Sequence, residues 1–165
     1  MARLSFDPIE EAEKNWRSNG WDSAATSMSA VTSIMRAQQI LLARVEVALR
    51  PFDVTFARYE TLMLLRFSRQ GAMPMSKISE RLQVHQSSVT NAVDRLENAA
   101  LVTRSPHPQD RRATIITLTA AGRDLTEKAT EVLNREVFPQ LGISSADTLE
   151  LTRILGALRH SAGDF

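Results

Sequence analysis

One stretch of this sequence, HQSSVTNAVDRLE at residues 85–97, carries hydrogen-bonding side chains at helical spacing. Val89, Val93 and Leu96 recur every three or four residues, which predicts the buried face of an amphipathic helix. The opposite face holds short, mostly uncharged groups that form helices less readily than Glu, Lys or Gln. In a DNA major groove such compact groups can reach base edges, whereas long charged side chains prefer phosphates. The residues predicted to read bases are Gln86, Ser87, Ser88, Thr90 and Asn91.

A loop with two prolines and adjacent arginines, SPHPQDRR at residues 105–112, follows this helix. The flanking segments 101–105 and 113–119 are rich in β-branched residues, so they predict the two strands of a β-hairpin. Arginines at its tip can enter a narrow minor groove, with Asp110 orienting one of them through a charge-assisted contact. A polar turn without a DNA role is the alternative. The predicted DNA contacts of this wing are His107, Asp110, Arg111 and Arg112.

The elements around these two segments are predicted to be helices. A short helix is expected between Asp7 and Gly20, and a long one over about 27–49, ended by Pro51. Residues 71–74 read as a loop because they contain Gly and Pro. Predicted N-caps of the later helices are Thr55, Ser76, Thr119 and either Ser144 or Ser145. The helix after Thr55 is expected to bury Phe56, Tyr59, Leu62, Met63 and Phe67.

The chain is therefore predicted to be mainly α-helical with a small β-hairpin wing. A short helix, a tight turn, a polar-faced helix and a hairpin follow one another in the order of a winged helix-turn-helix lobe. A hydrophobic content of 43% over 165 residues fits one folded domain with an extension. The formal net charge of +1 means that any DNA binding must come from local basic groups. Asp94, Arg95 and Glu97 are expected to brace the fold.

Several classes of function are disfavoured by the composition. Cysteine is absent, which excludes disulfides and thiolate metal sites, and we expect no metal and no cofactor. No apolar run approaches the roughly 18–20 residues of a membrane span and the first residues lack a signal-peptide core, so a cytoplasmic protein is expected. The three histidines are far apart and no HExxH, GxSxG, P-loop or GxGxxG motif occurs, which argues against an enzyme.

Residues 78–122 resemble the central region of MarR-type transcriptional regulators. The resemblance lies in VDRLE followed by LV, in the D-x-R of the loop, and in LT-xx-G after it. It implies a homodimer that binds a double-stranded, pseudo-palindromic DNA operator, with Asp110 and Arg112 as the wing's D-x-R and Arg112 entering the minor groove. The implied divisions are N-terminal helices for dimerisation and a ligand crevice (1–50), a winged helix-turn-helix lobe (51–119), and C-terminal dimerisation helices (120–165).

Three positions depart from the pattern of that family. Gln83 and Ala100 stand where many members have glycine, so the backbone there either differs or adopts a positive φ at a small cost. His85 stands where a Ser, Asp or Thr cap is commoner. It caps the helix, touches a phosphate, or does neither.

Dimerisation and ligand control are also expected. The first and last helices carry more apolar stripe than a small lobe can cover, and a twofold partner would bury it. The resemblance implies a repressor released from DNA by a small molecule, such as an aromatic acid, that binds between the dimer region and the lobe. Arg36 can hold a carboxylate or serve as a surface residue, and Trp16 and Trp21 are expected chiefly to anchor the N-terminal extension. The candidate pocket residues are Trp16, Met28, Met35, Arg36, Gln39, Arg58 and Tyr59.

Two alternative functions remain: a DNA-binding regulator without ligand control, and a winged helix that binds another protein instead of DNA. A regulator that binds DNA constitutively would have the same recognition helix and wing. A winged helix used for protein–protein contact would instead predict an apolar or acidic face at residues 86–91 and no arginines in the wing, which is the opposite of this sequence.

Overall fold

The computed structural model describes residues 4–110 and 112–165, so Arg111 lies outside the described residues. The helices are α1 (Pro8–Ser18), α2 (Asp22–Leu49), α3 (Phe56–Phe67), α4 (Met75–Leu82), α5 (Gln86–Asn98), α6 (Ala120–Glu136) and α7 (Ser145–Ser161). The strands are β1 (Ala72–Pro74), β2 (Val102–Pro106) and β3 (Thr114–Leu118). The prediction of a mainly helical fold with a small β wing is confirmed.

The chain forms two compact units, one ending at Val47 and the other comprising Ala48–Phe165. The second unit therefore contains the last residues of α2 and every later element. The division into dimerisation and DNA-binding regions is a statement about function, and it stays a prediction.

The first unit consists of α1 and most of α2. Asp7 caps α1, as predicted, by accepting a hydrogen bond of 2.8 Å from the Ile9 amide. The pKa of Glu13 is held below its ordinary value chiefly by a hydrogen bond of 2.7 Å from Arg17. A hydrogen bond from Ser29 is the second-largest cause. Since Arg17 also donates to Thr26 at 3.0 Å, this carboxylate and guanidinium join the two helices.

Trp16 and Trp21 lie where α1 passes into α2. Their ring centroids are 5.1 Å apart in an edge-to-face arrangement, which is a favoured aromatic geometry. The two rings thus pack against each other, which is compatible with the expected anchoring of the N-terminal extension. The start of α2 at Asp22 is five residues earlier than the predicted Ser27, because the turn after α1 is completed within Asn19–Trp21.

The core of the second unit is formed by α3, α4, α5, α6, the sheet and the last residues of α2. Full burial of an aliphatic side chain stabilises a fold by roughly 1.5–3 kcal/mol. The predicted apolar face of α5 is buried, whereas Phe67 at the end of α3 is 77% exposed and its predicted burial is wrong. Phe67 follows the buried Leu62 by five residues and lies on another side of the helix. The largest fully buried side chains include Leu49, Leu62, Leu65, Ile78, Leu96, Ile116 and Leu133.

The sheet has three strands in the order β1-β3-β2, and both pairings are antiparallel. Val102 pairs with Leu118 and Pro106 with Thr114, so the predicted hairpin is confirmed. Strand β1 was not predicted, because it has three residues and ends in Pro74. A proline is tolerated there since β1 is an edge strand.

Side-chain caps begin most of the helices in the second unit. Thr55, Thr119 and Ser144 accept hydrogen bonds from backbone amides at the starts of α3, α6 and α7, as predicted. Ser76 does not cap α4, because that helix begins at Met75 with Pro74 in the N-cap position and no side-chain cap.

The backbone adopts a positive φ at both positions where family members often have glycine. Gln83 has φ 53° and Ala100 has φ 56°, each at a cost of about 1 kcal/mol. Ala100 ends α5 in a Schellman motif, in which the Leu101 amide donates to the Leu96 carbonyl at 2.9 Å and the Ala100 amide to the Glu97 carbonyl at 2.8 Å.

Gly122 is required by a close approach between α6 and the turn after α5. A Cβ atom at position 122 would lie 2.1 Å from the Leu101 carbonyl oxygen and 2.8 Å from Leu118 Cδ1. The Thr119 hydroxyl, which accepts from the Gly122 amide, also lies 2.8 Å from the Ala100 carbonyl oxygen. Because Gly122 has no side chain, the first turn of α6 packs directly against the backbone at the end of α5.

Candidate nucleic-acid interface

Helix α5 presents its predicted polar row to solvent. Gln86, Ser87, Ser88 and Asn91 are exposed, whereas Thr90 is half-buried. A helix that buries one face and exposes compact donors and acceptors on the other has the chemistry needed to read base edges. Along the first half of α5, the polar residues predicted to read bases are therefore mostly the ones that solvent reaches.

Thr90 differs from the other members of this row. Its hydroxyl donates to the Gln86 carbonyl at 3.0 Å, one helical turn earlier. The hydroxyl hydrogen is thus used within the helix, which leaves the oxygen lone pair and the methyl group for an outside contact.

His85 caps α5. Its Nδ1 accepts a hydrogen bond of 3.2 Å from the Ser87 amide and lies 2.8 Å from Ser87 Oγ. Because a backbone N–H can only donate, Nδ1 must be the unprotonated ring nitrogen, and a neutral ring then carries its proton on Nε2. Of the three roles left open by the sequence, the cap is the one observed, and Nε2–H is a donor at the end of the helix that attracts anions.

The wing tip is held by short-range hydrogen bonds. The His107 amide donates to the Ala113 carbonyl at 3.0 Å, and the Ala113 amide donates to the Asp110 carbonyl at 3.0 Å. Asp110 Oδ1 accepts from the backbone amide of Arg112 at 2.9 Å. The carboxylate thus positions Arg112 through its main chain rather than through its guanidinium, and the Arg112 side chain is exposed.

His107 shapes the same turn from its other side. Its half-buried ring accepts a hydrogen bond of 3.2 Å at Nδ1 from the Gln109 amide. Its observed role is therefore structural, and its contact with DNA stays a prediction. The same holds for Arg111, which lies outside the described residues.

The start of α5 and the loop of the wing border one surface depression of about 240 Å³. Gln86 lines it from α5, and Asp110 and Arg112 line it from the wing, although more than twenty residues separate these positions in sequence. The other lining residues are Met75, Ser76, Ala113 and Thr114. Gln86 of the predicted α5 row and Asp110 and Arg112 of the predicted wing group therefore border the same depression.

Arg104 on β2 joins the wing to α5, a role that was not predicted from the sequence. Its Nη2 lies 2.6 Å from Asp94 Oδ1 and its Nη1 lies 3.1 Å from Glu97 Oε2. The Nη2 group also lies 3.5 Å from the Thr90 carbonyl oxygen. The expected bracing role of Asp94 and Glu97 is thus confirmed. The available signal was an acidic pair at i and i+3 on α5, followed by a single arginine in the strand.

Arg95, which was grouped with that acidic pair, is exposed and lies on a different surface. It lines a depression of about 540 Å³ together with Arg58 and Asp53. Arg58 is held there by contacts of 3.2 Å from its Nε to Thr55 Oγ1 and from its Nη1 to the Asp53 carbonyl oxygen.

The predicted ligand-pocket residues fall into two separate groups. Trp16, Met28, Met35, Arg36 and Gln39 belong to the first unit, where Arg36 Nη1 donates to Gln39 Oε1 at 3.2 Å. Arg58 and Tyr59 belong to the second, where the buried Tyr59 hydroxyl lies 2.8 Å from Thr130 Oγ1. One pocket shared by both groups stays a prediction.

Neither a metal site nor a membrane span is found in residues 4–110 and 112–165. No group of three or more His, Cys, Asp or Glu side chains there is placed to hold a metal ion. None of the helices in these residues is both long enough and apolar enough to cross a membrane.

Comparison with known proteins identifies relatives of this architecture. The model of the MarR family matches residues 55–114. A solved MarR family transcriptional regulator from Streptomyces coelicolor is 48% identical, with a TM-score of 0.78 over 85% of this chain and 97% of that chain. The HTH-type transcriptional repressor IacR of Pseudomonas putida is 30% identical over 118 residues, which are 70% of this chain and 69% of the repressor.

A shorter match links the chain to the HTH-type transcriptional regulator YhbI of Bacillus subtilis. It is 38% identical over 84 residues, so the match spans about half of each protein, 51% of this chain and 53% of YhbI. All three relatives are described as transcriptional regulators or repressors, which supports the expectation of a protein that is not an enzyme.

Proposed function

This chain belongs to the MarR family of transcriptional regulators, and we propose that it is a homodimeric repressor that binds a pseudo-palindromic DNA operator and is released by a small-molecule ligand. The observation that supports DNA binding is the exposed polar row of α5, whose first residue, Gln86, borders the same depression as Arg112 of the wing. Its target would be the DNA of the cell, in keeping with the expected cytoplasmic location.

In this proposal α5 enters the major groove with its N-terminal half. Gln86 and Asn91 carry amides that can pair bidentately with adenine, and Ser88 supplies an adaptable hydroxyl. The His85 Nε2–H and the positive end of the helix dipole face a backbone phosphate. Arg112 enters the adjacent minor groove, where the negative potential is strongest over narrow A·T-rich segments.

The experiment for DNA binding begins with selection of bound sequences from a random duplex pool. We expect a consensus with twofold symmetry and an Arg112→Ala variant that binds it about tenfold more weakly, with an unchanged melting temperature. Arg153→Ala is the matched control, because Arg153 lies on α7, away from α5 and the wing, and pairs with the exposed Glu150 three residues earlier. Equal losses in both variants, or a lower melting temperature for Arg112→Ala alone, would contradict a DNA contact by Arg112.

Dimerisation is proposed from the exposed apolar residues of the helices outside the lobe. Helices α2 and α7 expose a series of large apolar side chains that a second copy would bury, namely Val31, Ile34, Met35, Leu149, Leu151, Ile154 and Leu158. A twofold dimer would place its two α5 helices about 34 Å apart, one turn of DNA. Light scattering at micromolar concentration should give twice the chain mass of 18.4 kDa, and a stable monomer would refute the proposal.

Ligand release is proposed by analogy with a relative. BpsR of Bordetella bronchiseptica, 25% identical with a TM-score of 0.70, has its DNA binding regulated by 6-hydroxynicotinic acid. An aromatic carboxylate of this class would find a guanidinium partner at Arg36 or Arg58. Release requires that the ligand bind the DNA-free conformation more tightly than the DNA-bound one.

A panel of aromatic carboxylates, each with its uncharged amide as control, tests this part of the proposal. Selective displacement of operator DNA by a carboxylate, lost in Arg36→Ala or Arg58→Ala, is the expected result. If no carboxylate displaces the DNA, the constitutive alternative is favoured.

A further inference from the structure

The turn between α4 and α5 carries a side chain at a position where glycine would relieve strain. Gln83 has φ 53°, a conformation that glycine adopts without penalty and a residue with a Cβ atom does not. Its side-chain amide is used, since Nε2 donates a hydrogen bond of 2.6 Å to the backbone carbonyl of Asp164. The two residues are 81 positions apart in the sequence.

The acceptor belongs to the hydrogen-bonded C-cap of α7. Gly163, with φ 71°, ends α7 in a Schellman motif in which the Asp164 amide donates to the Arg159 carbonyl and the Gly163 amide to the His160 carbonyl, both at 3.0 Å. Arg159 Nε also lies 2.5 Å from Asp164 Oδ2, and its guanidinium lies 5.1 Å from the ring centroid of Phe165. The Asp164 carbonyl is therefore fixed relative to α7.

The donor belongs to an equally constrained turn. The Ser79 hydroxyl donates to the Val84 carbonyl at 2.7 Å, and the Val84 amide donates back to the Ser79 carbonyl at 3.3 Å. Gln83 lies two residues before His85, the cap of α5, and three before Gln86. A hydrogen bond that restrains Gln83 therefore also restrains the start of α5.

We infer that Gln83 is a positioning residue, which ties the start of the recognition helix to the end of α7 and thereby favours operator binding. The inference rests on the proposed DNA-binding function. The tether reduces the motion of the turn before DNA arrives, so less conformational freedom is lost on binding. This use of the side chain also accounts for a glutamine at a position that favours glycine.

A double-mutant cycle separates the tether from a direct contact between Gln83 and DNA. One change is Gln83→Met, which keeps the length and lack of charge but removes the donor. The other is a chain that ends at Gly163 and so lacks the acceptor. Each change alone should weaken binding to the selected operator about threefold to tenfold, the effect of one lost hydrogen bond, and the combination should be no weaker than either alone.

A third variant, Gln83→Gly, guards against a folding artefact. Glycine relieves the positive φ, so its melting temperature should equal or exceed that of the unaltered protein while its operator binding falls as in Gln83→Met. Hydrogen exchange of the amides at residues 84–88 should be faster in all three variants, with or without DNA.

The opposite results are equally clear. Equal weakening by Gln83→Met in the full and the shortened chain would overturn the inference, because the glutamine would then act without the tail. Unchanged binding or unchanged amide exchange in the single variants would overturn it as well. If the unaltered protein selects no DNA sequence at all, both the proposed function and this inference are refuted. If it binds DNA but the effects of Gln83→Met and of the shortened chain on binding are additive, only the inference is refuted.

Discussion

Removing the charge of Arg104 should loosen the wing from α5 more than it destabilises the protein. Arg104→Met keeps most of the apolar stem but loses the contacts of 2.6 Å to Asp94 and 3.1 Å to Glu97. The acidic pair on α5 is then left without its cation. The substitution also removes the buried Nε, for which no hydrogen-bond partner is found among the described residues, and this offsets part of the loss.

The magnitude follows from the exposure of the three side chains. Arg104 is 26% exposed, and Asp94 and Glu97 are 46% and 39% exposed, so solvent screens both pairs. Each pair should then contribute about 0.5–1 kcal/mol, and the substitution should cost about 1 kcal/mol net of the relieved Nε. For a chain of this length that is a fall in melting temperature of roughly 2–4 °C.

DNA affinity should respond more strongly than stability does. Without the ion pairs between β2 and α5, the wing should hold Arg112 less firmly relative to the polar row of α5. More conformational freedom is then lost when DNA binds. We expect operator binding to weaken about fivefold to tenfold, which a fluorescence anisotropy titration measures directly.

The matched control is Arg66→Met. Arg66 also joins two elements, since it pairs with Glu127 of α6 at 2.9 Å, but neither residue belongs to α5 or the wing. This control should lower stability by no more than about 0.5 kcal/mol and leave operator binding unchanged. The reasoning is refuted if Arg104→Met behaves like Arg66→Met in both assays, or if its loss of affinity persists in a variant whose wing is rigidly cross-linked to α5.

Three further predictions concern other parts of the molecule. Asn91→Ala should relax the base preference opposite α5 with no change in melting temperature, so an unchanged selected consensus would contradict base reading. Gly122→Ala should destabilise the fold by about 2–4 kcal/mol, because the new methyl group meets a backbone carbonyl 2.1 Å away, whereas Gly156→Ala on α7, with nothing within 4 Å, should be neutral or stabilising. Because Arg17 lowers the pKa of Glu13, the contact between α1 and α2 is present above the ordinary carboxyl pKa and lost as pH falls through the lowered one. The fluorescence of the two tryptophans, both in this unit, should report that step, and Glu13→Gln should abolish it.

Local chemistry explains which parts of the fold could be predicted from the sequence. The caps at Thr55 and Thr119 and the buried face of α5 depend on residues within one or two turns, so their spacing was sufficient. Strand β1 depends on pairing with β3 more than forty residues later, and nothing in Ala72–Pro74 itself signals a strand.

The same limit applies to the candidate interface. The polar row of α5 was visible because it breaks the ordinary composition of a solvated helix face. Arg104 was missed because its role depends on the pairing of β2 with β3 and on the packing of the sheet against α5. The bond from Gln83 to Asp164 spans almost half of the chain, so no local pattern could have indicated it.

The close approach at Gly122 also affects how movements can pass through the protein. The Thr119 amide donates to the Leu101 carbonyl at 3.1 Å, and the Thr119 hydroxyl lies 2.8 Å from the Ala100 carbonyl oxygen, both in the turn that ends α5. The first residues of α6 thus contact the carbonyls at the end of α5, and Gly122 places no side chain between the two backbones. A tilt of α6 would therefore be transmitted to the end of α5 through these main-chain contacts and the Thr119 hydroxyl.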